Sequence, residues 1–379
     1  MIDDLNPFVY SHPLATEDVI DRDNETHELL KKAVGGHYVR LYAPRKYGKT
    51  SLLLKALHDG ARDEGLVPIH VDLYRAMSMA DVAVRYERAY SRQLKGAIRS
   101  KIDSFLKTTG VGLSLGAYGI SARLQLDSKS DPLPALHALL SLPLELEKQG
   151  GYRAFIVLDE FQDIDKIPGL DGLIRSHIQY HGSVASYVFA GSEPGLMKQL
   201  FENRDRPLYG SAVPMRLGRL ADADIAAYVA ARFRQSGRDV GEALNPLIES
   251  AQGHPKQAML LAHLVWEQIA PGETATFADW EAAHDAAMNE LDAEFEAEWR
   301  GLDTSEQKTM RSLVDGGGSA YRTDVLRRLS LTKDMVRKAL PRLLAAAEIE
   351  LVERKYVVVD PLFAEWIRGP SLRPDDDGR

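Results

Sequence analysis

The 379-residue chain contains no cysteine, which removes disulfides, thiolate metal sites, iron–sulfur ligation and a cysteine nucleophile together. It has no long apolar run either. The most apolar stretch, residues 133–146, is interrupted by Pro134 and Pro143 and is too short and too polar to span a bilayer. The first ten residues hold two Asp and no base, so no secretory leader is visible, and a cytoplasmic, non-membrane protein is the expectation. Positive charge is in deficit as well: 47 Lys and Arg face 55 Asp and Glu, a net −8, so the surface as a whole should repel a polyanion. That average still leaves room for local basic patches.

What is present is a regular alternation. Short β-type runs at residues 38–42, 67–71, 155–158 and 187–190, with 213–217 a plausible fifth, are separated by helical segments. Strands joined through helices pair in parallel and are buried on both faces, which explains why Phe155-Ile156-Val157-Leu158 does not alternate with polar residues. After an entry segment over residues 1–33, residues 34–219 read as an α/β domain. Within it Val111, Leu113, Leu115, Ile120, Ala122, Leu124 and Leu126 alternate around Gly116 and Gly119, predicting a β-hairpin insertion over about 108–128. Such a hairpin either covers a sheet edge or the site, or forms a partner or self-association surface.

Residues 220–298 read as helical. Between Glu273 and Glu298 lie nine acids and no Lys or Arg, either a solvated face or a face that docks a basic partner or the chain's own basic segment. Residues 299–369 predict helices at 302–314, 323–329 and 332–347, followed by a β-type pair at 350–352 and 356–359, a winged-helix pattern. Residues 370–379, with Asp375-Asp376-Asp377, read as a disordered tail.

The most informative stretch is Ala43-Pro44-Arg45-Lys46-Tyr47-Gly48-Lys49-Thr50-Ser51, which follows a β-type run and opens a helix. It matches the phosphate-binding loop G-x-x-x-x-G-K-[ST] except that Ala43 replaces the first Gly. In such a loop, successive backbone N–H groups and a helix N-terminus wrap a polyphosphate. Gly48 permits close approach, Lys49 reaches the terminal phosphates, and Thr50 places its hydroxyl on magnesium. Ala is tolerable at the first position if its φ is negative.

Phe155-Ile156-Val157-Leu158-Asp159-Glu160 has the Walker B form. Asp159 is expected to hold magnesium, directly or through water, and Glu160 to polarise the attacking water. The next strand ends in Gly191-Ser192-Glu193, where Ser192 could sense a phosphate by one hydrogen bond and Glu193 could cap the helix starting near Pro194.

These residues together resemble the archaeal-type P-loop ATPases of the STAND and AAA+ superfamily, related to origin-recognition-type ATPases, including stand-alone bacterial members. Asn6-Pro7-Phe8 and Asp21-Arg22-Asp23-Asn24-Glu25 are similar to the family's entry segment, which implies Arg22 near the adenine, although Asp21 stands where the family has Gly. Asp159-Glu160-Phe161-Gln162 resembles the Walker B and its tail, and Ala190-Gly191-Ser192-Glu193 the sensor strand. Arg206-Pro207-Leu208-Tyr209-Gly210 looks like the segment before the last core strand. Ser211 follows it where some members have an arginine, leaving Arg204 and Arg206 either as substitute fingers or as ordinary surface ion-pair partners. Gly253-His254-Pro255-Lys256 resembles the family's lid signature, implying His254, Pro255 and Lys256 at the nucleotide; a solvent-exposed Lys256 is the other reading.

The fold implied is a P-loop AAA+/STAND-like parallel-sheet core with a hairpin insertion, a helical lid and a C-terminal winged helix. The function implied is an ATP/ADP- and magnesium-binding hydrolase, slow in turnover, acting as a nucleotide-dependent switch through its lid and winged helix. Its output would pass to a protein partner or to self-association. Residues 320–356 carry nine bases against five acids, a net +4, so DNA contact through Lys333, Arg337, Lys338, Arg354 and Lys355 is the alternative, with packing inside the protein as its rival. The acidic run and this basic segment are also candidates to neutralise each other.

Overall fold

The computed structural model describes residues 5–14, 16, 19–20, 22–108, 115 and 131–369. The expected hairpin, apart from Thr108 and Leu115, and the acidic tail lie outside the described residues. By its contacts the chain divides into two units: Ala15–Ala43 with Lys49–Leu217, and Met1–Leu14 with Pro44–Gly48 and Gly218–Arg379.

The first unit is built on five parallel strands, β1 (Val39–Tyr42), β2 (Val67–Asp72), β3 (Ala154–Asp159), β4 (Ala185–Gly191) and β5 (Val213–Arg216), in the order β2-β3-β4-β1-β5. Every residue of β3 and β4 is buried, as expected of central parallel strands covered on both faces by crossover helices. Register brings Asp72 opposite Asp159 and Tyr42 opposite Gly191, so the carboxyl ends of β1, β3 and β4 line up where α/β folds place their chemistry. An aromatic cluster behind this edge packs Phe161 against Phe189 and Phe201, with ring centroids 4.7 and 5.7 Å apart. The apolar stretch 133–146 forms two short helices, Leu133–Leu140 and Leu142–Gly150, because Pro134 and Pro143 each sit in a first turn, where a missing N–H costs nothing. Among the described residues no helix is long and apolar enough to cross a membrane.

In the second unit, helices Asp222–Gln235, Leu244–Ala251, Pro255–Gln268 and Phe277–Gly301 precede helices Thr304–Asp315, Thr323–Arg328 and Lys333–Ala345. An antiparallel hairpin, β6 (Ile349–Val352) with β7 (Lys355–Val358), and a last helix, Pro361–Arg368, complete a winged-helix arrangement. The wing turn is Glu353-Arg354, both at positive φ (+47° and +68°), the backbone a two-residue hairpin demands even without glycine. The acidic helix runs three residues past 298, to Gly301, before Asp303 and Glu306 form a capping box that restarts the chain as a new helix. The entry residues pack here too: Phe8 lies 5.2 Å from Phe233 by ring centroid, and Asn6 donates to the His263 carbonyl at 3.1 Å.

The charges of this unit pair differently from a simple acidic-to-basic match. Arg322 pairs with Asp324, Arg328 with Asp315, Arg337 and Lys338 with Asp334, and Arg342 with Asp303 and Glu306, all within the winged helix. On the acidic helix, Glu290 accepts from Tyr10 and Asp292 from Trp366, while Glu294 takes Lys46 and Lys256.

Candidate nucleotide site

The loop after β1 bends with left-handed φ at Lys46 (+66°) and Gly48 (+77°), and not at Ala43. Ala43 therefore meets the condition that makes Gly unnecessary there; it is fully buried, and its N–H donates to the Gly191 carbonyl at 3.3 Å. Gly48 adopts a φ that favours glycine, and no protein atom lies where its side chain would be.

From Lys49 onward, a compact polar network forms. Lys49 Nζ is hydrogen-bonded to Asp159 and lies 2.9 Å from Glu160 Oε1; Thr50 Oγ1 donates to Asp159 Oδ2 at 3.0 Å. Glu160 Oε2 accepts from Ser192 Oγ at 2.8 Å and from Gln162 Nε2 at 2.6 Å. His70 Nε2 stands 3.7 Å from Asp159 Oδ2. Burial alone would raise the Asp159 carboxyl, but His70 and the Lys49 charge overcome it and hold the group well below the usual carboxylate range. Burial would likewise lower Lys49, and Asp159 and Glu160 reverse that, so the ammonium stays charged.

Four residues expected in catalysis, Lys49, Asp159, Glu160 and Ser192, are thus within one connected network. Arg22 is buried at the start of helix Asp23–Val34 and bonds Glu25 at 2.7 Å, and that helix packs on helix Lys49–Glu64 through Asp23 and Lys55, 3.6 Å apart. Ser51 is buried in the first turn of helix Lys49–Glu64. Glu193 is the residue before helix Pro194–Glu202, but its side chain makes no capping bond, and Pro194 opens the helix instead. Arg206 is committed to Asp165 and Asp171 at 2.7 and 3.0 Å, the ion-pair reading of that residue, while Arg204 is exposed.

The middle of the loop, Pro44–Gly48, groups with the C-terminal residues. Lys46 pairs with Glu294, to which Lys256 Nζ approaches at 3.4 Å. Burial lowers Lys256, and the Lys46 charge adds to that. Tyr47 is fully buried; its hydroxyl donates to Glu350 Oε1 at 2.9 Å, and its ring meets His254 edge-on with centroids 5.0 Å apart. Glu350, on β6, also accepts from Arg219 Nε at 2.7 Å. The Arg219 guanidinium goes on to the carbonyls of Gln252, Val358 and Val359.

Gly253-His254-Pro255 has a local rationale at each position. A Cβ on Gly253 (φ +76°) would sit 2.5 Å from the Leu220 carbonyl oxygen, His254 Nδ1 accepts the Gln257 N–H at 3.3 Å, and Pro255 begins the helix. Burial, aided by Arg219, Lys46 and Lys256, pushes the His254 imidazole down to about 4, against the opposing pull of Asp360. It is neutral at physiological pH.

Sequence reasoning missed His70, Gln162, Arg219 and Glu350 as site residues. Gln162 lay inside the Walker B tail already singled out; the other three carry no local signal, since only strand register and tertiary packing bring them in.

A parallel sheet in the order 2-3-4-1-5, a phosphate-binding loop after the first strand, paired carboxylates ending the third and a winged helix at the C-terminal end define the α/β P-loop ATPase fold of the AAA+ kind. The chain is similar in fold to a Walker-type ATPase of Pyrococcus abyssi, with a TM-score of 0.68 at 19% identity, covering 97% of this chain and 100% of that one. It is also similar to the ORC2 protein of Aeropyrum pernix in complexes with ADPNP and ADP, with a TM-score of 0.57 at 13% identity over 96% and 98% of the two chains. The ADP form of that protein gives 0.54 at 14% identity over 95% and 96%. No protein-family model matches the sequence, and no curated protein matches it.

Proposed function

We propose that the protein is an ATP-binding, magnesium-dependent P-loop ATPase that works as a nucleotide-dependent switch, signalling through its lid helices and winged helix. The observation that carries this reading is the anchoring of two phosphate-loop side chains, Lys46 on Glu294 of the long lid helix and Tyr47 on Glu350 of the wing. A phosphate drawn to the backbone N–H groups of this loop acts on residues whose side chains are fastened to the C-terminal elements. That is the physical requirement for a switch: the ligand must interact differently with two arrangements.

The donor set suits the nucleotide and the metal. Lys49 supplies a charged ammonium for terminal phosphates, and the neighbouring Thr50 hydroxyl and Asp159 carboxylate are the oxygen ligands magnesium takes alongside phosphate oxygens and water. Magnesium would offset charge on the phosphate oxygens. Glu160 would orient and polarise the attacking water, with Ser192 beside it.

Two variants test the ATPase reading. Lys49→Ala should abolish nucleotide binding in a calorimetric titration, and Glu160→Gln should keep binding and lose turnover by roughly 10²–10⁴-fold. Unchanged turnover in Glu160→Gln would remove Glu160 from the role. The switch reading is tested by hydrogen exchange of residues 349–358 in Glu160→Gln with ATP or ADP; identical protection in both would overturn it.

A second reading, DNA binding stabilised by nucleotide, is favoured by the exposure of Lys333, Arg337, Lys338, Arg354 and Lys355 on the winged helix. It ranks second because Asp334 holds both Arg337 and Lys338, at 2.5 and 2.8 Å.

A further inference from the structure

Glu160 can act on a water only if its carboxylate faces one way. Its backbone does not fix that direction: Glu160 sits at φ +50°, a left-handed conformation that costs a non-glycine residue energy and persists where surroundings impose it. The side chain is instead held by its neighbours. Oε1 faces Lys49 at 2.9 Å, while Oε2 accepts two hydrogen bonds, from Ser192 Oγ and from the Gln162 carboxamide.

Gln162 is itself closely restrained. It is almost completely buried, and its Oε1 accepts the Ser192 N–H at 3.3 Å while its Nε2 lies 3.4 Å from Ser192 Oγ. Phe161, one residue before it, is locked into the aromatic cluster. On the opposite side, Gly191 leaves the room it needs: a Cβ there would come within 2.6 Å of Gln162 Oε1. A carboxamide is the group that can donate to Glu160 and accept from Ser192 in one plane; a carboxylate cannot donate and an alkyl chain can do neither.

We propose that Gln162 is the positioning residue of ATP hydrolysis in this protein, holding one oxygen of Glu160 against Ser192. The other oxygen meets the water once Lys49 turns from Glu160 to phosphate. The inference rests on the ATPase reading and adds a residue to it. Gln162 acts through Glu160 and touches no substrate.

The test compares the full-length wild type, Gln162→Leu, Gln162→Glu, Glu160→Gln and the double variant Glu160→Gln/Gln162→Leu. ATP affinity is read by titration with magnesium present, and kcat and KM by phosphate release. Gln162→Leu is expected to lower kcat on the order of 10²-fold, the scale of a misplaced catalytic group, with ATP affinity within about threefold of wild type. Gln162→Glu, nearly isosteric, should lose kcat too, because a second carboxyl 2.6 Å from Glu160 either repels it or competes with it for a proton where the carboxamide donated; unchanged ATP affinity shows that either variant is folded. The double variant should turn over no more slowly than Glu160→Gln alone, since the group being positioned is already gone. A wild-type kcat in both Gln162 variants, losses that multiply in the double variant, or a loss lying wholly in ATP affinity would overturn the proposal while leaving the ATPase reading intact. A wild type that neither binds ATP nor turns it over beyond Glu160→Gln would overturn both.

Discussion

Replacing Tyr47 by Phe should weaken a part of the molecule remote from residue 47 in sequence. The substitution removes one oxygen and leaves the ring against His254, so no cavity opens and the cost is that of the hydrogen bond to Glu350. Both partners are buried and the acceptor is charged, which places the bond in the class worth about 1.5–3 kcal/mol. Glu350 keeps its Arg219 partner, so the carboxylate is not orphaned and the lower half of that range, roughly 1.5–2 kcal/mol, is expected. All four tryptophans, Trp266, Trp280, Trp299 and Trp366, belong to the C-terminal unit, so urea unfolding followed by tryptophan fluorescence reports on that unit. With a slope of about 2 kcal/mol per molar urea, the midpoint should fall by roughly 1 M. Tyr86→Phe is the control: that hydroxyl is buried in the α/β unit without a hydrogen-bond partner, so its removal should leave the tryptophan transition in place. A Tyr47→Phe midpoint equal to wild type would refute the anchoring of the loop on the wing, and with it the observation on which the switch reading stands.

Three further outcomes follow from the same unit. His254 is neutral when folded, its imidazole held near 4 against an ordinary 6.5, so the stability it contributes is complete above 6.5 and lost as pH falls toward 4. His254→Asn, which keeps an acceptor at the cap, should remove a slope of about 1.4 kcal/mol per pH unit in that window, and an unchanged slope would show that the imidazole is not excluded from charging. Glu298 has the opposite sign: burial first, then the facing Glu348, raise its carboxyl well above the ordinary 4.5, so its contribution is complete below 4.5 and lost as pH rises above that value. Glu298→Gln should therefore be more stable than wild type at pH 8 and equal to it near pH 4; equal stability at both would separate the two carboxyls. Duplex DNA binding should be weak at about 50 mM salt and indifferent to Arg337→Glu/Lys338→Glu; tight binding that collapses by about 200 mM and in the variant would establish the DNA reading in place of the switch.

How much of this was legible in the sequence depends on the distance over which each feature is encoded. The two central strands were readable because burial on both faces demands continuous apolar runs, and Phe155-Ile156-Val157-Leu158 is such a run. The phosphate loop was readable because its chemistry needs Gly-Lys-Thr at fixed spacing. Gly253-His254-Pro255 was recognisable as a signature, but its residues answer to a tight turn, a cap and a helix start, constraints that a motif records without explaining. The partners of the loop were not legible at all. Tyr47 and Glu350 are 303 residues apart, and in the sequence Glu350 is one acid among five in a basic segment.

The same limit bears on the charge arithmetic. Summed by segment, nine acids over residues 273–298 beside a +4 winged helix invite a direct pairing, yet Arg322, Arg328, Arg337 and Lys338 pair with acids of the winged helix itself. The acidic helix pairs Glu294 with Lys46, 248 residues earlier, and with Lys256. A half-exposed ion pair of this kind stabilises little on its own, because solvent screens most of the attraction. Under the proposed switch, Lys46, Tyr47, Glu294 and Glu350 would distinguish two arrangements of the loop at the residues a phosphate would approach, so in that reading the acidic helix matters through one loop contact more than through attraction between segments.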